Sequence, residues 1–274
     1  SPRPGYWPPG ASCAGTSAAS ARAHWQKLAQ SVPLVHCLTN DVAKNFTANV
    51  LLAAGASPAM IEAEEECGAF TAAADSLLIN IGTLHNGRLP GMRRAARTAA
   101  KNSKPWVLDP VAVGDLLTFR SDFARELLAF QPTVIRGNAA EILWLNGQSA
   151  RLRGADSLST AEEAAGAALE LAQKQQCVVL VSGARDYITD GEVLWFNDGG
   201  DVRQTRVTAC GCALSALVAA FCTVAPPLDA AASAAWLMKQ AGSHAARAVG
   251  MGAFAVALLD ALSYDAPFVQ EVQS

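Results

Sequence analysis

Charged side chains are scarce in this sequence. Asp, Glu, Lys and Arg make up 16% of its 274 residues, with a formal net charge of −3 and a pI near 5.8. A chain without a basic footprint is not built to neutralise a phosphate backbone, which excludes nucleic acid as a partner. Cysteine is present seven times, at 13, 37, 67, 177, 210, 212 and 222. The count is odd, and no C-x-x-C pair or His/Cys ligand spacing occurs. Neither a disulfide framework nor a zinc site is therefore expected, and most thiols should be reduced and buried. No apolar run is long enough to cross a bilayer, because charged or turn residues interrupt the alanine-rich segments. The first residues lack the apolar core of a secretory leader, so the expected location is the cytoplasm. What is plentiful is apolar residues, at 51%. With a mean hydropathy of +0.19, they argue against disorder and for extensive burial, with room for a subunit interface.

Residues 1–20 are Pro, Gly, Ser and Ala with almost no aliphatic side chains, and read as a flexible N-terminal tail. Residues 21–274 read as one domain, without repeat or linker. Short apolar, strand-like runs are expected at Leu34–Leu38, Ser57–Ile61, Leu77–Ile81, Trp106–Leu108, Thr133–Arg136, Val178–Val181, Tyr187–Thr189 and Val193–Phe196. Helix-like segments lie between them at Ala21–Gln30, Asn45–Ala54, Glu64–Ala73, Leu89–Asn102, Asp122–Phe130, Ala139–Leu145 and Ala161–Lys174, with several more after Cys212. Continuous buried strands separated by helices predict an α/β fold: a mainly parallel central sheet with helices on both faces. Asp190-Gly191 between two strand signals predicts a small hairpin at the sheet edge.

Polar residues gather where such a sheet places a site, at the C-terminal ends of strands. Thr39-Asn40-Asp41, Gly82-Thr83, Asp109-Pro110 and Arg136-Gly137-Asn138 with Glu141 are the four such ends. Each taken singly is equally a loop with a helix cap, Asn40 and Asn138 above all. A fifth element runs from Thr205 to Val224. There a β-branched lead-in passes through four small residues, Ala209-Cys210-Gly211-Cys212, into a long apolar run of good helix formers. The first N–H groups of that helix have no intrahelical partner, and the dipole adds positive charge, so the turn suits an anion. The same helix start would lower the pKa of Cys212. The plainer reading is a tight turn feeding a buried helix. Asp109, at the end of a buried strand, requires a compensating cation. Asn138 and Glu141, three apart at a helix start, share a face and suit the outer shell of hydrated magnesium. Arg136 offers a planar fork for phosphate oxygens.

These residues carry a resemblance. The chain resembles the hydroxyethylthiazole kinases, thiamine-salvage enzymes of the ribokinase-like fold that phosphorylate 4-methyl-5-(2-hydroxyethyl)thiazole with ATP. The likeness runs from about Trp25 to Leu262 in one register. Its motifs are Val-His-Cys-Leu-Thr-Asn-Asp-Val from Val35, Thr-Ala-Asn-Val-Leu-Leu-Ala-Ala-Gly-Ala-Ser-Pro-Ala-Met ending at Met60, Asn-Ile-Gly-Thr-Leu from Asn80, and Leu-Asp-Pro-Val from Leu108. They continue with Pro-Thr-Val-Ile-Arg-Gly-Asn-Ala-Ala-Glu from Pro132, Gly-Ala-Asp-Ser from Gly154, Asp-Tyr-Ile-Thr-Asp-Gly from Asp186 and the turn at Ala209.

The resemblance implies a single-domain, three-layer ribokinase-like kinase with Mg2+ as cofactor, ATP and hydroxyethylthiazole as ligands, and a homotrimer with sites at its subunit boundaries. It implies that Met60 contacts the thiazole, with Asn40, Val42 and Ala209 in the same pocket. Arg136, Ser182 and Asn138 fall on the ATP side, and Asp109 and Glu141 manage the metal and triphosphate. Ala209, Cys210, Gly211 and Cys212 form the anion hole, and Cys212 stands where other ribokinase-like enzymes carry an aspartate base. Two departures stand out. The family turn is typically Gly-Thr-Gly-Cys, and Gly250-Met-Gly-Ala-Phe254 replaces a frequent Gly-Pro-Gly-Ser-Phe. If the first turn position needs positive φ, alanine there costs about 1 kcal/mol or more. Rival readings are a weakened thiazole- or nucleotide-binding protein derived from such a kinase, a hydroxymethylpyrimidine kinase of the same fold, and a thiol hydrolase pairing Cys210 or Cys212 with His36 or His244.

Overall fold

The computed structural model of the protein describes residues 13–148 and 158–265. The Gly154–Ser157 motif and the first twelve residues of the expected tail lie outside this range. A nine-stranded sheet forms the centre, made of β1 (Cys13–Gly15), β2 (Leu34–Leu38), β3 (Ser57–Ala59), β4 (Ser76–Asn80), β5 (Trp106–Asp109), β6 (Val134–Asn138), β7 (Val178–Ser182), β8 (Asp186–Thr189) and β9 (Leu194–Asn197). The strand order is β1-β9-β8-β7-β6-β5-β4-β2-β3. Neighbours run parallel except where β8 pairs with β7 and β9.

Among the described residues ten α-helices flank the sheet: α1 (Ala18–Ser31), α2 (Lys44–Ala54), α3 (Glu64–Ala73), α4 (Leu89–Lys101), α5 (Thr118–Leu128), α6 (Ala139–Leu145), α7 (Leu158–Gln175), α8 (Cys210–Phe221), α9 (Pro227–Ala245) and α10 (Met251–Ala261). Two apolar cores result, one on each face. Val35, Leu78, Val107, Val134 and Leu180 pack toward α8 and α9. Their strand neighbours Leu77, Ile79, Leu108, Ile135 and Val179 pack toward α4 to α7. This is the period of two expected of strands buried on both faces. α4 shows the complementary helical period, with Met92, Ala95, Ala96 and Ala99 buried in one stripe.

The three-layer α/β expectation holds, and the β8–β9 hairpin forms around Gly191 at φ 96, with Asp190 Oδ1 accepting from the N–H groups of Glu192 and Val193. One further strand lies outside that hairpin. β1 pairs in parallel with β9, and α1 starts at Ala18, capped by Ser17. Ordered structure thus begins before the expected boundary at Ala21, because the free edge of β9 supplies partners that a Gly/Ala/Ser segment cannot supply for itself.

Candidate active site

The alternation that builds the two cores also aims the site. Asn80, Asp109, Arg136 and Ser182 share strand faces with Leu78, Val107, Val134 and Leu180, so all four point toward α8 at the C-terminal end of the sheet. α8 lies across β2, β4 and β5; its Cys212 reaches Asn40 just after β2, Ser215 reaches Asp109 on β5, and Gly211 lies over Arg136 on β6. Asp109 is fully buried. Its Oδ2 accepts from Asn80 Nδ2 at 3.2 Å, Arg136 Nη2 at 2.5 Å and Ser215 Oγ at 2.7 Å. Its other oxygen, Oδ1, is buried with no partner. A buried carboxylate oxygen left bare is costly, and this one marks a place for a cation or a donor from a ligand.

Arg136 is the paired cation. Nε donates to Ser215 Oγ at 2.8 Å and Nη1 to Ser182 Oγ at 2.9 Å, while Nη2 takes Asp109. Burial alone would lower its pKa, but the Asp109 and Glu141 carboxylates outweigh burial and hold the guanidinium above its ordinary range. The fork expected to face phosphate is thus engaged inside the protein. The backbone of Gly211 roofs it so closely that an added Cβ would lie 3.1 Å from Nη1. A side chain at position 211 therefore requires the Arg136 guanidinium to shift by a few tenths of an ångström.

A second branch leads from Asp109 to the thiol. Asn80 Oδ1 accepts from the Gly82 N–H at 3.0 Å and from Asn40 Nδ2 at 2.9 Å. Asn40 Nδ2 also reaches Cys212 Sγ at 3.3 Å, while its Oδ1 accepts from Ala43 N–H. Both amides have their orientation dictated by a backbone donor at the oxygen end. Cys212 corrects an expectation. Burial, then the Asp109 charge, raises its pKa, and Arg136, Asn40 and Asn80 only partly oppose this. The helix start does not lower it below the ordinary thiol value, because desolvation of the anion outweighs the dipole.

Asn138 and Glu141 form a reciprocal capping box at the start of α6. Glu141 Oε1 accepts from Asn138 N–H at 2.8 Å, and Oε2 accepts from Ala112 N–H at 2.6 Å. The carboxylate is buried, and burial raises its pKa against the pull of Arg136. Asn138 does act as the cap that composition suggested.

At the N-terminus of α8, Ala209 adopts φ 71, ψ 9. The positive φ anticipated for this position is present, carried by an alanine. Cys210 corrects the proposed anion hole. Its Sγ packs 3.7 Å from Met238 Sδ and its N–H donates to Val207 O at 3.2 Å. Burial pushes the thiol up to about 12. Among the described residues, the amides of Gly211 and Cys212 have no backbone acceptor, which leaves those two donors to receive an anion. Beside them opens a cavity of about 480 Å3, with Ser182, Gly183, Gly200, Gly211 and Lys239 in its lining.

Comparison with known proteins identifies the family of the chain. The family model described as Hydroxyethylthiazole kinase family matches residues 25–265. The hydroxyethylthiazole kinase of Klebsiella pneumoniae subsp. pneumoniae is 54% identical over 242 residues, 88% of this chain and 91% of that protein. The chain belongs to the hydroxyethylthiazole kinase family. The solved structure of the hydroxyethylthiazole kinase protein from Pyrococcus horikoshii OT3 has a TM-score of 0.83 at 36% identity, covering 92% of this chain and 95% of that one. The ADP complex of Bacillus subtilis pyridoxal kinase, 18% identical with a TM-score of 0.59, covers 77% of this chain and 91% of its own and shares the fold. The chain is a kinase of ribokinase-like fold.

Of the residues expected on the acceptor side, Met60 and Val42 lie toward the β2–β3 edge of the sheet, while Asn40 and Ala209 stand at the N-terminus of α8. Met60 follows edge strand β3 and packs half-buried against the α8-side core. Val42, between β2 and α2, is 61% exposed. The loop bearing it is held by Arg88, which donates to Thr39 O and pairs with Asp41. The hydrolase reading loses His36 as its base. Both ring nitrogens of buried His36 are engaged, by Thr71 Oγ1 at 2.9 Å and Ile61 O at 2.7 Å, and His244 sits on the exposed end of α9. Among the described residues, no group of three or more His, Cys, Asp or Glu could hold a metal, and no helix is long and apolar enough to cross a membrane. Two members of the site escaped the sequence reading. Asn80 is a polar residue at a strand end on the face of Leu78. Ser215 lies one turn after Cys212 in an otherwise apolar helix.

Proposed function

We propose that this chain transfers the γ-phosphoryl group of ATP to the primary alcohol of 4-methyl-5-(2-hydroxyethyl)thiazole, the reaction its relatives are named for. The observation that carries the reading is the buried Asp109, with one oxygen bare, beneath the open amides of Gly211 and Cys212. Phosphoryl transfer asks a protein chiefly for positioning and charge stabilisation, and this corner supplies both. The Gly211 and Cys212 N–H groups receive the transferring group. Asp109 Oδ1 and the Glu141 carboxylate fit Mg2+, which keeps most of its waters and touches few carboxylates. When bound, the ion offsets the charge of the triphosphate. Arg136 holds Asp109 and Ser182 in place and adds positive potential behind the phosphates. Cys212 Sγ, fixed by Asn40, orients the acceptor hydroxyl, and its thiolate form, the scarcer one at a raised pKa, takes up the hydroxyl proton as the new P–O bond forms and the bond from the γ-phosphorus to ADP breaks.

Met60, Asn40 and Val42 form the acceptor side. We assign the acceptor pocket to the boundary between copies in a homotrimer. Edge strand β3 supports this, together with Val42 and Leu52, 61% and 59% exposed on the elements beside it. Seven free cysteines suit the reducing cytoplasm. Phosphorus NMR of a reaction containing ATP, Mg2+ and the thiazole is expected to show a thiazole phosphate ester, and ADP with no ester would overturn the assignment. Cys212→Ser should lower turnover and move its pH profile; unchanged turnover and profile would remove the proton-accepting role. The left-handed Ala209 favours one rival, a protein that binds these ligands without turning them over, and calorimetric heat with no ester identifies it.

A further inference from the structure

The cavity beside α8 has three walls from distant parts of the chain: the β7–β8 turn, the loop after β9 and the α9 helix. One ion pair joins them. Lys239, on α9, donates from Nζ to Gly183 O at 2.5 Å and lies 3.6 Å from Asp186 Oδ1. Asp186 Oδ1 in turn accepts from the Gly183 N–H at 3.0 Å. Both polar groups of the Gly183 residue are therefore held, the donor by the carboxylate and the acceptor by the ammonium. The lysine stem also packs beneath Gly200, where an added Cβ would lie 3.1 Å from Lys239 Cδ. Both side chains are largely withdrawn from water, Lys239 at 11% and Asp186 at 4% exposure. Such burial is expensive for an exposed-type surface pair, and neither residue contacts Asp109, Arg136 or Cys212 by any hydrogen bond described above.

Gly183 directly follows Ser182, whose hydroxyl meets Arg136. Whatever fixes the Gly183 peptide fixes how the turn presents Ser182 and the cavity wall. We propose that Lys239 and Asp186 are positioning residues for the nucleoside triphosphate, acting through the Gly183 peptide to set the turn against which the donor binds. The proposal rests on the phosphoryl-transfer reading above. It separates donor binding from acceptor binding, because the pair touches the donor cavity and none of Met60, Asn40 and Val42.

The test is steady-state kinetics of full-length Lys239→Met, Lys239→Arg and Asp186→Asn, with melting temperatures recorded alongside and binding of a non-hydrolysable ATP analogue measured by calorimetry. The expected result is an increase of about tenfold in KM for ATP and in analogue Kd for Lys239→Met. Its kcat and the thiazole KM should stay within about twofold of wild type. Lys239→Arg, which keeps a cation at Gly183 O, should recover most of the affinity. Asp186→Asn keeps an acceptor for the Gly183 N–H and should fall between. Unchanged ATP KM in both Lys239→Met and Asp186→Asn overturns the proposal, as does a fall in kcat with ATP KM unaltered. If Lys239→Met does not fold, wild-type affinity in Asp186→Asn together with a Lys239→Arg no different from it decides against the pair. A wild-type protein that consumes no ATP defeats the functional reading instead, so the two failures are distinguishable.

Discussion

The proposed donor and acceptor halves of this site are built differently. On the donor side, β6, β7, β8, the loop after β9, α8 and α9 of one chain line a cavity of about 480 Å3, and Lys239 and Asp186 in its wall form a largely buried ion pair. On the acceptor side, Met60 and Val42 stand at the β3 edge of the sheet, half-buried and exposed. The first half is complete within one chain. The second offers apolar surface that a neighbouring copy can cover, which is where the proposed trimer places the thiazole. Donor binding should therefore survive changes that dissociate the assembly, and acceptor binding should not.

The largest effect should come from Asp109→Asn. It strips the carboxylate from under α8 and leaves the buried Arg136 without its partner. Turnover should fall by about 10²–10³-fold or more, and chemical denaturation should register a loss of about 3–5 kcal/mol. A kcat within a few-fold of wild type would move the reactive centre elsewhere. Next, Val42→Asp places a charge on the proposed subunit boundary. Light scattering should show a smaller species, and the thiazole KM should rise by about tenfold. The ATP KM should stay put. If both constants rose together, the two halves would not be separable.

A smaller effect is expected from pH on the donor side alone. Burial pushes Asp186 up to about 6, against the pull of Lys239 and of Arg136. Above that value the carboxylate is ionised and pairs with Lys239; as pH falls through it, the pair loses its charge and the ATP KM should rise by a few-fold. The sign for stability is opposite. A carboxylate whose folded pKa exceeds its ordinary 3.8 binds protons more tightly in the folded state, so this group adds stability as pH falls from about 6 toward that value. Asp186→Asn should flatten the ATP KM profile, and a profile identical to wild type would detach it from this residue. The smallest effect is Ala209→Gly. An alanine held at φ 71 is strained by about 1 kcal/mol, so glycine should raise the melting temperature by about 2–4 °C. A fall in melting temperature would show that the turn is not under backbone strain.

The two halves also differed in how far they could be read from residues alone. Strand periodicity placed Asp109 and Arg136 at strand ends in a crevice, and the structure puts them there, 2.5 Å apart. The Asn138–Glu141 spacing read as a shared helix face and is a capping box. What could not be read was pairing between segments far apart in sequence. Ser215 meets Asp109 across 106 positions, and no local pattern in an apolar helix announces it. The Cys212 thiol was misjudged for a related reason. A helix start is visible in sequence, but the depth of burial that outweighs its dipole is set by the packing of α8 onto β2, β4 and β5. Cys210, two residues earlier in the same turn, faces Met238 because a step of two residues along a helix start turns the side chain to the other face. β1 went unseen because its strand is stabilised by an edge it does not encode.

The most direct test of the account is a coupled ADP-release assay on the full chain with ATP and Mg2+, run with and without 4-methyl-5-(2-hydroxyethyl)thiazole. ADP release that depends on the thiazole is the predicted result. Heat of binding for both ligands with no thiazole-dependent ADP would contradict it.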